Sequence, residues 1–343
     1  DSASRGLGDV YKRQDLSQIG VVIENSNDSE IEIEVFPDRP DLLSHENLAR
    51  AARSFLENVE APCGIDVNRG PEQMVVDPSM EYVRPHVFAA IVRGVYTGKS
   101  DLAKDLFVQS LMDHQEKLHT TLGRRRKSVS IGVHDLRGVQ GPFSVSADEG
   151  DSVFTPLGEE REMSLTEILE LHPKGVEYAQ LIEPELGYPL IRDCNGKVLS
   201  FPPIINGTDT MVTTESSDFL IDVTGWDRRA CLAAIRLVAL SLYERGGTVE
   251  SVDVRQWDGS QWRLDFDPVE YKVPESLIKM ILGFEVDFST LEESISKMGG
   301  EIVGKVRVDQ EAMGSNWDGT ESDDLAYLVQ MLSLIHISEP TRR

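Results

Sequence analysis

The stretch FLIDVTG at Phe219–Gly225 decides the fold class of this chain of 343 residues. Its apolar first half and its terminal glycine predict a buried β-strand. A helix predicted from about Asp227 to Arg245 follows the strand and ends at Gly246-Gly247. The next stretch, TVESVDVRQW, predicts another strand. Strands and helices that alternate without a repeat favour an α+β fold.

The segments before this stretch extend the same pattern. Strands are predicted at SVSIGV and KVLSF, and Ser164 with Glu167 predicts a capping box at a helix start. Ser100 is expected to cap a long helix that ends near Gly123. Its inward face is predicted from four leucines: Leu102, Leu106, Leu111 and Leu118. Residues 86–264 are therefore expected to form one mixed α/β domain.

Two smaller blocks are expected to flank this domain. In residues 15–85, short apolar alternation predicts strands, Ser44 predicts a helix cap, and the polar stretch from Pro62 to Pro85 indicates a linker. In residues 265–332, Pro274 marks a helix start and Gly283 its end. A capping box at Ser289 and Glu292 and a strand at EIVGKVRV then predict an incomplete, winged-helix-like unit.

Both termini differ in character from the rest of the chain. DSASRGLGDVYKRQ, residues 1–14, and SLIHISEPTRR, residues 333–343, resemble translated sequencing-adaptor read-through. An ordinary flexible tail is the alternative. Either interpretation excludes these stretches from the fold and from any targeting signal.

Composition limits the partners of the chain. The formal net charge of −25 repels phosphate over most of the surface, so an RNA partner requires a local basic strip or another subunit. No apolar run is long enough to cross a bilayer, so no membrane association is expected. The widely spaced Cys63, Cys194 and Cys231 suit neither zinc nor a redox pair, and they are expected to be buried thiols in a reducing cytoplasm.

Four phrases, taken in order, carry a family resemblance: VFPDRPDLLSHENLARA, QEKLHTTLGRRRKSVSIGVHDL, YPLIRDCNGKVLSFPPIING and FLIDVTGWD. Together they resemble the β subunit of archaeal and eukaryotic phenylalanyl-tRNA synthetases. The resemblance implies an N-terminal domain, a central B3/B4 editing domain and the start of a B5 domain. It also implies an α-subunit partner in an α2β2 enzyme and the acceptor end of tRNA(Phe) as RNA partner.

In that family, amino-acid activation with ATP and Mg²⁺ belongs to the full enzyme, so no cofactor is expected for this segment. The editing domain instead hydrolyses mischarged Tyr-tRNA(Phe). Tyrosine and phenylalanine differ by one hydroxyl, and a site that hydrogen-bonds the phenol rejects the ring that lacks it. The hydrolysis needs a positioned water and groups that stabilise the developing oxyanion, and no protein nucleophile.

The resemblance also implies the site residues. The catalytic candidates are Ser200, Asn206, Asp222 and Thr224. The substrate-binding candidates are Leu190, Pro202, Pro203 and Gly207, where the paired prolines are expected to fix an extended pocket wall. From the residues alone, Asp222 and Thr224 could equally form a turn before Gly225, and the prolines a stiff strand exit.

The densest basic patch of the chain lies before the predicted strand SVSIGV. It is expected to bind the RNA phosphates, although a solvated loop is the alternative. Its members are Lys117, His119, Arg124, Arg125, Arg126 and Lys127.

His134-Asp135 suggests a metal site but more simply a structural turn, because neighbouring strand residues point to opposite faces. No metal site is predicted.

Two other functions remain open at this level. The segment could be a free-standing aminoacyl-tRNA deacylase, although the flanking blocks speak against that interpretation. It could also be a non-catalytic module for tRNA binding or subunit assembly, which the retained polar pocket residues disfavour.

Overall fold

The computed structural model describes residues 16–27, 31–57, 62–308 and 325–332, and these form two compact units. The larger unit contains residues 66–265 together with the short segment 43–47. The smaller unit contains the remaining residues up to Ile65 and those from Phe266 onward. The two predicted adaptor tails and the stretch DQEAMGSNWDGTESDD lie outside the described residues.

The helices and strands follow one another in mixed order. The helices are α1 (His45–Glu57), α2 (Asp101–Thr120), α3 (Leu165–Leu171), α4 (Pro173–Tyr178), α5 (Arg228–Tyr243), α6 (Glu275–Leu282) and α7 (Phe288–Lys297). The strands are β1 (Val21–Ser26), β2 (Ile31–Val35), β3 (Asn68–Val76), β4 (His86–Arg93), β5 (Val129–Asp135), β6 (Phe143–Asp148), β7 (Val153–Phe154), β8 (Met163–Ser164), β9 (Tyr188–Arg192), β10 (Val198–Phe201), β11 (Ile205–Asn206), β12 (Phe219–Gly225), β13 (Thr248–Arg255), β14 (Gln261–Trp262), β15 (Val269–Pro274), β16 (Gly300–Arg307) and β17 (Leu325–Met331). The predicted α+β fold class is confirmed.

One large sheet organises the larger unit. Its strand order is β11-β10-β9-β6-β3-β13-β4-β12-β5, and β14 pairs with β13. Strand β12 lies between β4 and β5, antiparallel to both, and every one of its residues is buried. Helix α5, which is mostly apolar and buried, covers the face that carries Ala90 and Ile221. The opposite face carries Leu220, which packs into the main apolar core.

This sheet curves until its two edges nearly meet. The Asn206 amide of β11 donates to the Val133 carbonyl of β5 over 3.5 Å. The Arg126 guanidinium, just before β5, donates to the carbonyls of Pro203 and Ile204 over 3.2 and 2.9 Å. Because side chains rather than a strand ladder bridge the edges, the sheet is a near-barrel with a polar seam.

Side chains also form hydrogen bonds with backbone groups at another point of the outer edge of β5, at Ile131. The Ile131 amide donates to His119 Nε2 over 2.8 Å, and the Ile131 carbonyl accepts from Gln115 Nε2 over 2.6 Å. Both partner side chains come from α2. At Ile131, therefore, the edge strand presents no free backbone group with which another strand could pair.

The smaller unit contains two separate packing centres. Strands β1 and β2 pair antiparallel, and Ile19, Val21 and Leu42 form the core beside them. Strands β15, β17 and β16 form a three-stranded sheet, whose core centres on Tyr327 and Val329. Gly283 caps the C-terminal end of helix α6. Its left-handed φ of 78° is unfavourable for residues that carry a side chain, so glycine suits this position.

Several local expectations are confirmed. Ser164 and Glu167 form the predicted capping box at α3. Ser100 caps α2, since its hydroxyl accepts from the Ala103 amide, and the Ser44 hydroxyl accepts from the Asn47 amide at the start of α1. The described part of the chain contains no helix that is both long and apolar enough to cross a membrane.

Other local expectations are wrong. The stretch predicted as a linker contains β3 and a 3-10 helix at Pro78–Tyr82, so the central unit begins at Asp66. Leu102 and Leu106 are exposed, and only the later turns of α2 bury their leucines. Asp287, not Ser289, caps α7.

The thiols also differ from expectation. Cys231 is buried, Cys63 is half-buried and Cys194 is exposed in the turn between β9 and β10. Burial raises the pKa of the Cys231 thiol to about 12. All three cysteines are unpaired.

Candidate functional site

Strand β12 places two polar side chains on the core side of the near-barrel. Asp222 and Thr224 alternate with apolar residues, so both share the face of Leu220. Their exposed fractions are 1% and 0%. Buried polar groups need partners, and the partners of these two define the site.

The Asp222 carboxylate binds a histidine of the neighbouring strand. Its Oδ2 lies 2.8 Å from His134 Nε2, and His134 Nδ1 lies 2.7 Å from the Thr210 hydroxyl. Since a neutral imidazole donates from one ring nitrogen only, the most consistent arrangement has Nε2–H donating to Asp222 and Thr210 donating to Nδ1. The three side chains thus form a continuous buried chain of hydrogen bonds.

Gly132 makes room for this pair. A Cβ at this position would lie 1.9 Å from Asp222 Oδ2 and 2.8 Å from His134 Nε2. Both distances are well inside van der Waals contact, so any side chain here would displace the pair. The absence of a side chain at Gly132 is therefore a requirement of the site.

Thr224 binds a buried arginine. Arg84 Nε donates to the Thr224 hydroxyl over 3.0 Å, and Nη2 donates to the Thr224 carbonyl over 2.8 Å. Among the described residues no carboxylate forms an ion pair with Arg84. Burial lowers its pKa to about 10, and the nearby Asp222 carboxylate opposes that shift. The guanidinium is still protonated at neutral pH, and the site holds a buried positive charge.

Arg84 also forms part of a cavity wall. The cavity has a volume of about 280 Å³. Its walls come from three places in the larger unit: Tyr82, Val83 and Arg84 before β4; Lys127 and Trp226 beside each other at the ends of β5 and β12; and Gln180, Leu181, Ile182, Glu183, Leu186, Gly187 and Pro189 before and within β9. Arg84 therefore lies between this cavity and Thr224.

The other predicted pocket residues lie on the β9–β11 side of the seam. Ser200, buried on β10, pairs with Asn206 on β11. Asn206 reaches the carbonyl of Val133, the residue before His134. The hairpin is thus brought to the strand that carries His134, while no hydrogen bond joins Ser200 directly to Asp222 within the described residues.

Leu190, Pro202, Pro203 and Gly207 surround this hairpin. Leu190 packs in a second apolar cluster with Phe201 and Ile204. The two prolines are joined by a cis peptide bond and lie in the turn between β10 and β11. The prediction that they form an extended pocket wall is therefore wrong. The Gly207 amide donates to the Leu199 carbonyl, which fixes the exit of the hairpin.

The basic patch divides into exposed and internal members. Arg124, Arg125 and Lys127 are exposed, and so is Lys117. Arg126 instead binds Glu116 over 3.0 Å and stacks on the Tyr178 ring. His119 is buried, and burial lowers its pKa. Phosphate binding stays a prediction for all of them, with the exposed members best placed for it.

Sequence reasoning missed four members of this site: Arg84, Gly132, His134 and Thr210. His134 was expected in a structural turn, which is wrong, because it lies inside β5 and faces the core. The signal was present: Ser130, Gly132 and His134 place small and polar residues on one face of an otherwise apolar strand. Thr210 and Arg84 carry no comparable local signal, since only the folded chain brings them to the site.

No metal centre is evident in the part of the chain that the structure describes. Groups of three or more histidine, cysteine, aspartate or glutamate side chains with metal-binding geometry are absent there. The site as described relies on hydrogen bonds and one buried arginine charge.

Known proteins resemble this chain over most of its length. The profile of the B3/4 domain family matches residues 83–254. The phenylalanine–tRNA ligase β subunit of Methanosarcina acetivorans is 41% identical over 306 residues, which cover 89% of this chain and 54% of that protein. The corresponding subunit of Methanococcoides burtonii is 42% identical over 285 residues, which cover 82% of this chain and 51% of that protein.

A solved structure agrees with these matches. An N-terminal fragment of the phenylalanyl-tRNA synthetase β subunit from Pyrococcus horikoshii superposes with a TM-score of 0.81 and 30% identity. The match covers 94% of this chain and 88% of that fragment. The chain spans about half the length of the curated relatives it matches.

Proposed function

Because the chain belongs to the family of phenylalanyl-tRNA synthetase β subunits, we propose that it hydrolyses the ester of Tyr-tRNA(Phe) at the site around Asp222. The observation that carries the proposal is the buried set Asp222–His134–Thr210 beside Thr224 and Arg84. A buried polar network is costly unless it is satisfied, and it fixes the orientation of its members.

Tyrosine selection would depend on the Asp222 carboxylate. His134 occupies one of its oxygens, Oδ2, and thereby orients the other. A phenol hydroxyl that donates to the second oxygen would gain a charge-assisted hydrogen bond. A phenylalanine ring would leave that oxygen buried and unsatisfied, which costs about 1–3 kcal/mol or more for a charged group. The site would thus reject the correct amino acid.

Hydrolysis would use the groups at Thr224. Its hydroxyl accepts from Arg84, so its own proton is free to donate to a water or to the ester oxygen. The Arg84 charge favours the negative charge that develops on the carbonyl oxygen. Ser200 and Asn206 would line the opposite side, from the hairpin that meets β5.

The activity of the whole enzyme is likewise proposed from the membership of the chain in this family. The chain would act as part of a β subunit that assembles with an α subunit as α2β2 in the cytoplasm. Aminoacylation with ATP and Mg²⁺ would then belong to the assembled enzyme, and the acceptor end of tRNA(Phe) would reach this segment.

The test compares two esters on the purified chain without ATP. Tyr-tRNA(Phe) should lose its amino acid much faster than Phe-tRNA(Phe). Asp222→Ala and Thr224→Ala should each lower the rate on the tyrosyl ester by roughly 10²- to 10³-fold, the effect of removing one positioned group. Asp253→Ala, which removes a half-buried ion-pair aspartate of the same unit, is the matched control.

Two results would contradict the proposal. Equal hydrolysis of both esters by the wild-type chain would remove the phenol-recognition mechanism. Tight tRNA binding with no hydrolysis of either ester would instead favour a non-catalytic RNA-binding module. Circular dichroism of each variant would establish that a lost rate does not reflect a lost fold.

A further inference from the structure

Thr210 stands at the opposite end of the buried hydrogen-bond chain from Asp222. It ends the short 3-10 helix Thr208–Thr210, which follows the β10–β11 hairpin, and it is buried. Its hydroxyl oxygen lies 2.7 Å from His134 Nδ1 and 3.3 Å from the Gly207 carbonyl oxygen. A hydroxyl has a single proton, and the shorter contact is the stronger hydrogen bond, so Thr210 donates to the ring nitrogen.

This hydrogen bond distinguishes the two possible orientations of the imidazole ring. The His134 side chain is fully buried, so its nitrogens depend on their protein neighbours. Turning the ring over would place carbon atoms where the two nitrogens now lie, and both hydrogen bonds would be lost. With Thr210 in place, only the observed orientation satisfies both neighbours. Asp222 thus fixes one end of the ring, and Thr210 fixes the other.

The orientation of the ring determines how Asp222 is held. His134 Nε2 lies 2.8 Å from Asp222 Oδ2 in the observed orientation. Without the Thr210 hydroxyl, that orientation would leave Nδ1 buried and without a partner. The reversed ring would instead leave Asp222 Oδ2 without its donor. Because each arrangement leaves one buried group unsatisfied, the two would compete, and the carboxylate would lose its fixed position.

We propose that Thr210 is a positioning residue, which holds the His134 ring and thereby sets the selectivity of Asp222 for the tyrosyl ester. This inference rests on the proposed function and adds a determinant of selectivity that acts through His134. Asn206 supports the same arrangement, since its amide reaches the Val133 carbonyl next to His134. Two side chains from the hairpin segment therefore hold the strand residue that orients the carboxylate.

The test removes the hydroxyl and keeps the shape of the side chain. Thr210→Val replaces the hydroxyl by a methyl group, whereas Thr210→Ser keeps the hydroxyl. Thr210→Val should lower kcat/KM for Tyr-tRNA(Phe) by roughly 10- to 100-fold, up to the effect of displacing a positioned group by about 1 Å. The slow hydrolysis of Phe-tRNA(Phe) should not change, so the ratio of the two kcat/KM values should fall. Thr210→Ser should keep the wild-type ratio.

A second threonine of the same 3-10 helix is the matched control. The Thr208 hydroxyl donates to the Pro156 carbonyl over 2.9 Å, so it holds the helix and not the imidazole. Thr208→Val removes a comparable hydrogen bond and should keep the wild-type ratio. A wild-type ratio in Thr210→Val would overturn the inference. Equal losses in Thr208→Val and Thr210→Val would also overturn it, because a general loosening of the helix would then explain both.

Nuclear magnetic resonance separates this inference from the editing proposal. In the full chain with ¹⁵N-labelled histidine, the variant His134→Asn assigns the ring nitrogens of His134, whose signals report their hydrogen bonds. Wild type and Thr210→Ser should show one set of signals with the proton on Nε2, and Thr210→Val should show shifted or doubled signals. Unchanged signals in Thr210→Val would overturn the inference and leave the editing proposal intact. Shifted signals in Thr210→Val, with equal hydrolysis of both esters by the wild type, would refute editing and support the positioning of His134 by Thr210.

Discussion

Gly132 is the residue at which the site is most sensitive to a small change. Gly132→Ala would place a methyl group within 1.9 Å of Asp222 Oδ2, so the carboxylate and His134 must move apart. Displacement of a positioned group by about 1 Å costs on the order of 10²-fold in rate. We expect a loss of that size in tyrosyl-ester hydrolysis, measured by release of labelled tyrosine.

A strand glycine with free space is the control for this substitution. A Cβ at Gly304 of β16 would meet its nearest neighbour, Leu328, at an ordinary 3.5 Å. Gly304→Ala should leave hydrolysis unchanged. If Gly132→Ala has wild-type activity, the contact between Asp222 and His134 is dispensable for the reaction.

The sequence predicts some residues of the site better than others. Asp222 and Thr224 interrupt an apolar strand, and that local pattern is visible without a structure. Arg84 and Thr210 reach the site through pairing of distant segments, which local patterns do not encode. His134 is intermediate, because the alternation along β5 is visible but its partner is not.

At the scale of elements, Arg126 joins the turn before β5 to the β10–β11 hairpin. Its side chain is 12% exposed and donates to two carbonyls and to Glu116. Removing it leaves the carbonyls of the buried residues Pro203 and Ile204 without their charged donor. Arg126→Ala should therefore lower the free energy of unfolding by roughly 2–4 kcal/mol, measured by urea denaturation.

Arg125 offers a matched comparison for that loss. It has the same left-handed backbone and an exposed side chain. Arg125→Ala should change the free energy of unfolding by less than about 0.5 kcal/mol, as is usual for surface substitutions. Equal effects of the two substitutions would show that the seam does not depend on the Arg126 contacts.

Element boundaries follow local sequence closely where apolar pattern and caps agree. The strand predicted at FLIDVTG is β12, and the helix predicted from Asp227 to Arg245 is α5, shorter by one or two residues at each end. Strand β3 was missed because its first half, NRGPE, is polar and contains glycine and proline. Its place in the sheet comes from parallel pairing with β13, far along the chain.

At the scale of the whole molecule, His114 is expected to make stability depend on pH. It is buried in α2, and neither ring nitrogen has a hydrogen-bond partner among the described residues. Burial lowers its pKa from 6.5 to about 3, with smaller contributions from Lys117 and His45. The unfolded chain therefore takes up a proton near pH 6.5 that the folded chain refuses until about pH 3.

Stability should consequently fall as pH drops through this window. Through His114, the free energy of unfolding should fall by on the order of 1 kcal/mol for each pH unit between the two pKa values. Below the lower pKa, His114 causes no further loss. His114→Leu should flatten the dependence of the free energy of unfolding between pH 6.5 and pH 4, measured by urea denaturation. Identical slopes for wild type and variant would rule out this role of His114.

The cysteines give the molecule one further property. Cys231 is buried with a raised pKa, Cys63 is half-buried, and Cys194 alone is exposed. Since the thiolate is the reactive form, a maleimide dye should couple fastest at Cys194. That turn joins the two strands leading to Ser200, so a fluorophore there would report in real time when an RNA end arrives and when it leaves.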